Sequence, residues 1–221
     1  MTNADFDFAM TLDESALEQR SEGEALIADE QVRVLAHENR LVLRREKTER
    51  SNLDDQTTAL YMLLRCLAHP HPECRFQWVR VSLDFSANPN VRVSDLFPQR
   101  IDGTDPIKVT LTRSASLAME FGTYKLGPAV GIERSTEQSI YYPGTIGSGI
   151  NTSSALWDFQ TQGEAPLYVD RDLHLVLAQP TMLVSVLVRV TLRAKVVAKG
   201  IAGIIPIVGR REVVFEAVVK G

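Results

Sequence analysis

VSVLVRVTLRAKVVAK, running from Val184 to Lys199, is the stretch whose reading decides the fold. At alternate positions Val184, Val186, Val188, Val190, Leu192, Ala194, Val196 and Ala198 are all apolar. The intervening set, with Ser185, Arg189, Thr191, Arg193, Lys195 and Lys199, is mostly polar and basic. Side chains alternate faces along a strand, so this period means one buried face and one wetter face. At roughly 3.3 Å per residue the run would cover about 50 Å, well past the usual strand of about five or six residues. So long a strand either bends between sheets or extends beyond its domain.

Glu212 to Lys220 repeats the pattern, with Val213, Phe215, Ala217 and Val219 on one side. Antiparallel pairing with Lys199 opposite Glu212 would set Lys195 against Glu216 and Val197 against Val214. The other face would then match Val196 with Phe215 and Ala194 with Ala217. Such pairs contribute about 0.2–1 kcal/mol each, and a one-residue slip would send every side chain to the wrong face. The sequence therefore predicts a hairpin over 184–220 in this register. Its connection, residues 200–209, carries no charge, although turns are normally polar. Ile201, Ile204, Ile205, Ile207 and Val208 thus read in two ways. They form either a loop folded onto its own core or a neighbouring subunit, or an apolar tip that enters a membrane or a partner's groove. Arg210 and Arg211 flank the run, as they would at an anionic lipid surface or on any soluble loop.

Upstream of this hairpin the chain reads mostly as strands and turns. Phe76 to Phe85 is an expected strand, with Val79, Val81, Leu83 and Phe85 on one face and Phe76 and Trp78 on the other. Ile107 to Phe121 is a second long alternating run: Ile107, Val109, Leu111, Ala115, Leu117, Met119 and Phe121 share a face, broken by Arg113. Residues 122–150 are rich in Gly and Ser, with a short strand at Ile140–Tyr142. Ala155–Phe159, Leu167–Val169 and His174–Ala178 are further short strands. Many short strands between turns indicate a sandwich or barrel.

Before Arg75 the pattern changes. Ser51 and Asn52 are good N-caps, and Asp54 and Asp55 suit a helix start. Leu53, Leu60, Leu63, Leu64 and Leu67 then make an apolar stripe at helical spacing, which His69-Pro70-His71-Pro72 stops. This predicts a core-packing helix over about 53–67. Residues 40–50 are densely charged and read as a solvated face or linker. Ala25 to Glu46 reads two ways: Val32 and Val34, with Leu41 and Leu43, alternate as two strands around a turn at 37–39, while Ala25, Leu26, Val32, Leu35 and Val42 also fit helical spacing; two strands are the expectation. Thr11 to Glu14 fits a capping box opening a short helix over 12–20.

Charge is divided unevenly. Residues 1–30 hold nine acids against one base, Arg20, within a whole-chain net of −4, so the remainder carries +4. An acidic leader on a basic body is a solvated tail, a partner-binding tail or a segment lying on the body's own basic face. The dispersed bases argue against nucleic-acid binding. No stretch reaches about 18 uninterrupted apolar residues, so no transmembrane helix is expected. The acidic start lacks a signal pattern, which gives a cytoplasmic expectation.

Candidate chemistry is sparse. Cys66, His69, His71 and Cys74 bring both cysteines and two of four histidines into nine residues, and thiolates with imidazoles are zinc's preferred ligands. The spacing departs from that of usual zinc folds, and buried cysteines beside an exposed turn are the preferred reading. Asp172 and His174 would share a strand face and could orient a general base, but no nucleophile is indicated. Residues 144–149 resemble a phosphate cradle only in their glycines.

The sequence thus predicts an α+β, predominantly β protein: an antiparallel β-sandwich with an N-terminal mixed segment containing one core-packing helix. Its parts are an acidic tail with a short helix (1–30), the mixed segment (31–74) and the sandwich (75–221). The expected function is a non-catalytic binding or assembly module, acting by protein–protein contact or self-association through the tip at 201–208. No cofactor is expected unless zinc fills the Cys/His cluster. The alternative is a membrane-active protein whose amphipathic β-hairpins or apolar tip enter a lipid surface.

Overall fold

The computed structural model describes residues 5–7, 11–12, 39–113, 134–161, 165–198 and 205–216. In chain order its strands are β1 (Asp5–Asp7), β2 (Thr11–Leu12), β3 (Arg40–Asn52), β4 (Thr57–His69), β5 (Cys74–Asp84) and β6 (Arg92–Phe97). Then follow β7 (Arg100–Arg113), β8 (Arg134–Ser148), β9 (Ser154–Gln160), β10 (Val169–Pro180), β11 (Ser185–Ala198) and β12 (Ile205–Glu216). They form two antiparallel sheets, a five-stranded one ordered β1-β3-β4-β10-β6 and a seven-stranded one ordered β2-β12-β11-β5-β9-β8-β7. Inner faces of both enter one core. Leu60, Met62, Leu64, Leu173 and Leu175 come from the first sheet, and Val79, Val81, Trp157, Val188 and Val190 from the second.

No helix occurs among the described residues, and the helix expected over 53–67 is a strand. Thr58, Leu60, Met62, Leu64, Cys66 and Ala68 are buried at alternate positions of β4. The outward positions Tyr61, Leu63 and Leu67 are apolar as well, so a period of two was hidden in a run that fits any period. Its cap chemistry serves a turn instead. The N–H groups of Gln56 and Thr57 donate to Asp54 Oδ1 at 2.8 and 2.6 Å. Asp and Asn make such turns for the same reason that they cap helices. The charged stretch read as a linker is β3, paired with β4 along its whole length with a register shift between Arg45 and Lys47. There the neighbour overrides weak β-propensity. β4 pairs in turn with β10 from Ala68–Val169 to Thr57–Pro180. Thr11–Leu12, where a helix was expected to open, is a strand beside β12; the rest of that helix and Val32–Val34 lie outside the described residues.

The β11–β12 hairpin forms, but not in the expected register. Glu212 lies opposite Arg189, not Lys199, and Val186 opposite Phe215. The shift of ten positions is even, so the faces came out right: Val186, Val188, Val190, Leu192, Ala194, Val196 and Ala198 are all buried. β12 starts within the uncharged run, at Ile205, which shortens the connection and moves every pair. In β5, Phe76 joins the buried set while Trp78 is only half-buried. The pairing with β11 skips Gln77, and this bulge turns Phe76 inward.

Candidate functional site: a two-stranded ribbon and its root

β7 and β8 pair from Arg100–Ile146 out to Arg113–Arg134. β9 accompanies β8 only from Thr145–Phe159 to Ser148–Leu156. From Pro106–Tyr141 outward, eight residues of each strand therefore have no third strand beside them among the described residues. At about 3.3 Å per residue this two-stranded part is roughly 25 Å long. Its register sets Ile107 opposite Ile140, Val109 opposite Gln138 and Leu111 opposite Thr136. The alternate pairs are Lys108–Ser139, Thr110–Glu137 and Thr112–Ser135. By sequence and register, one set joins Ile107, Val109 and Leu111 of β7 to mixed positions of β8 and ends at the Arg113–Arg134 pair, and beyond Pro106–Tyr141 the other set is polar. The sequence had marked β7 but left most of β8 as Gly- and Ser-rich loop. The signal missed was the partner, since β8 alone alternates too weakly to be seen.

The ribbon is rooted by backbone contacts. Gly147 N–H donates to the Gln99 carbonyl at 2.8 Å, and Gln160 Nε2 donates to the Pro143 carbonyl at 2.8 Å. Gly147 lies so close to the 96–99 segment that a Cβ there would collide with the Pro98 carbonyl oxygen. It would also stand 2.6 Å from Leu96 Cδ1 and 3.1 Å from Nε1 of the buried Trp157. Arg100 Nε meets Asp102 Oδ1 at 2.6 Å, and its Nη2 reaches the Tyr141 carbonyl at 3.5 Å. Tyr141 and Tyr142, beyond the last β8–β9 pair at Thr145–Phe159, are 46% and 50% exposed.

Beside the root, on the outer face of the five-stranded sheet, lies a groove of about 460 Å³ that reaches from Phe97, Pro98 and Ile101 to Asp170, Asp172 and His174. His174 Nδ1 is 2.7 Å from the Tyr61 hydroxyl, and Phe97, 62% exposed, sets its ring edge-on to His174 at 5.8 Å. Arg65 holds Asp170 with two bonds at 2.8 and 3.0 Å, which keeps that carboxyl below the usual range. Asp172 and His174 do share this face, but among the described residues no serine or cysteine lines the groove. His174 Nδ1 is engaged by a tyrosine, so the arrangement offers no nucleophile–base pair.

The other expected site residues are scattered. Cys66 is buried on β4, where loss of water first, and Asp170 second, push its thiol up to about 12. His69 is exposed, at the end of the same strand. The His71 N–H donates to Asn39 Oδ1 at 3.0 Å, and Cys74 is buried at the start of β5. The two cysteines form no disulfide. Among the described residues, no three His, Cys, Asp or Glu side chains converge as metal ligands. Ile205, Ile207, Val208, Arg210 and Arg211 lie in β12, with Ile207 and Val208 buried and Arg210 exposed. Ile201 and Ile204 lie outside the described residues. No helix among the described residues is long and apolar enough to cross a membrane.

No protein-family model matches the chain, and no curated protein matches its sequence. Solved structures do resemble it. One is the Clostridium perfringens NetB toxin in its membrane-inserted form, at 10% identity and a TM-score of 0.32, over 82% of this chain and 86% of that one. A second is Clostridium perfringens delta-toxin, at 10% identity and TM-score 0.37, over 80% and 92%. A third is a pore forming protein, at 9% identity and TM-score 0.37, over 82% and 83%. None of the three is named as an enzyme. Scores below 0.5 at such identity carry no role from those proteins to this chain.

Proposed function

We propose that this is a non-catalytic, membrane-active protein whose β7–β8 ribbon enters lipid when several copies assemble. The observation that supports this reading is that, among the described residues, no third strand accompanies the outer part of the ribbon. An isolated two-stranded hairpin is marginally stable in water, and each of its edges is a row of N–H and C=O groups open to pairing. Pairing with the ribbons of other copies would satisfy both edges. In a bilayer, strands must close into a barrel, because no water is present to take their hydrogen bonds.

The sequence supplies the required pattern. About 9–11 tilted residues cross a bilayer, and the alternation begun at Ile107 runs in the sequence to Phe121. Thr136 and Gln138, opposite Leu111 and Val109, belong to the watered end of such a hairpin. Assembly and membrane action are then one function, since a single ribbon cannot close.

Dye release from liposomes tests this, with Leu117→Asp on the apolar side of the alternation and Ser116→Asp on the polar side. We expect Leu117→Asp to abolish release and Ser116→Asp to retain most of it, with light scattering in detergent reporting a multiple of the chain mass. Equal behaviour of the two variants would sink the reading. So would a wild-type chain that releases nothing from either neutral or anionic vesicles.

A further inference from the structure

β6 leaves β10 before β10 ends. Their pairing stops with Phe97 opposite His174, and the chain then passes through Pro98 into β7. β10 continues beside β4 back to Val169. Among the described residues no strand lies along the other side of Val169–Leu173. The gap is the groove beside the ribbon root, and its volume of about 460 Å³ falls within the range of small-molecule sites, about 300–1,000 Å³. An unaccompanied strand edge also offers backbone N–H and C=O groups to whatever lies there.

Some of the lining side chains are already engaged and others are open. Arg65 and Asp170 hold each other through two bonds. His174 Nδ1 is taken by the Tyr61 hydroxyl, which leaves Nε2. Arg171 and Asp172 are exposed, and neither makes a hydrogen bond or salt bridge with another described residue. Phe97, 62% exposed, is held from one side by its edge-on contact with His174. The two guanidinium groups of the lining are balanced by its two carboxylates, so a ligand of strong net charge gains little here. A fitting ligand offers donors to Asp172, acceptors to Arg171 and an apolar face to Phe97. A hydroxyl is donor and acceptor at once. A pyranose ring carries hydroxyls round its rim and C–H groups on its faces, and C–H hydrogens suit the negative face of an aromatic ring.

We propose that this groove is a carbohydrate site, which takes a neutral sugar with its C–H face on Phe97 and its hydroxyls on Asp172, Arg171 and His174 Nε2. The proposal rests on the groove and is independent of the membrane reading. The two meet in space: the Gln99 carbonyl, next along the chain from Pro98, accepts from the Gly147 N–H at the ribbon root. A chain that acts on membranes would thus hold a surface glycan beside the element that enters lipid.

Saturation-transfer NMR tests this on the full chain, with the methyl glycosides of glucose, galactose, mannose and N-acetylglucosamine and, as a zwitterion, phosphocholine. We expect transfer to at least one glycoside, strongest at the hydrogens of one ring face. Phe97→Tyr should keep it, and Phe97→Leu, apolar but not flat, should remove it. Asp172→Ala should weaken binding about tenfold, as loss of a hydrogen bond to a charged group does. Asp172 lies on another strand, so this variant reads the site even where a Phe97 variant fails to fold. Transfer to none of the glycosides overturns the proposal, as does transfer unchanged in both Phe97→Leu and Asp172→Ala, or transfer to phosphocholine alone. No membrane is present in this measurement, so failure of the sugar site and failure of the membrane reading are separate results.

Discussion

The β11–β12 and β7–β8 hairpins are similar in length, 14 and 12 residues against 14 and 15, and both have a first strand of alternating character. Their neighbourhoods are opposite. β11 lies between β5 and β12, and β12 between β11 and β2. Among the described residues β7 pairs with β8 alone, and β8 pairs with β9 for four pairs only. Alternation along a strand therefore announces an apolar face but not what will meet it. In β11 it is the other sheet of the same molecule; in β7, on our reading, it is lipid.

The largest expected effect tests that difference directly. Leu192, fully buried on β11, should cost about 2–5 kcal/mol as Leu192→Ala. On the membrane reading, Leu111→Ala on the ribbon should change the stability of the chain in water by less than about 0.5 kcal/mol. Urea unfolding compares the two, and equal losses would mean that the ribbon is as well covered as the hairpin.

The next effect sharpens the boundary between ribbon and body. Gly147→Val should cost about 1–3 kcal/mol by overpacking against Pro98 and Leu96. Gly144→Ala should be nearly neutral, because its Cβ would meet nothing nearer than the Gln160 and Ile101 carbonyl oxygens at 3.7 and 3.9 Å. A tolerated Gly147→Val would show the root to be yielding rather than fixed.

The smallest effect is a pH dependence belonging to the body. Asp84 is held below its usual value of 3.8 first by the Ser86 N–H, with Arg189 a lesser cause; Asp170 is held below it first by Arg65. A lowered folded value contributes stability above about pH 4, which is lost as pH falls through the folded values. The urea midpoint should therefore fall in acid, and less so in Asp84→Asn with Asp170→Asn. An unchanged acid slope in the double variant would assign the loss to other carboxylates.

Much of the body was legible in the sequence. The inward set of β11 was readable because its outward set is basic and polar. β4 misled because Tyr61, Leu63 and Leu67 are apolar on the outer face, which erases the period. The hairpin register failed because charge pairs recur at every fourth residue, so Lys199 satisfies Glu212 as well as Arg189 does. The ribbon was half legible. The run from Ile107 stood out, but its partner β8 has Thr136 and Gln138 on the matching side, and no local pattern tells whether a third strand will arrive. The groove was not legible, since Tyr61, Phe97 and His174 come from three strands distant in the chain.

The placement of the two tryptophans has a practical consequence. Trp157 is dry and lies under the ribbon root, whereas Trp78 sits on the outer surface beneath Arg80 and Lys195. The chain contains no others. It therefore carries two built-in optical probes, one emitting from an oily setting and one from a cationic one. Replacing either by phenylalanine would leave a single-colour reporter: Trp157 would register the ribbon leaving its seat, and Trp78 a change at the outer surface of the sheet.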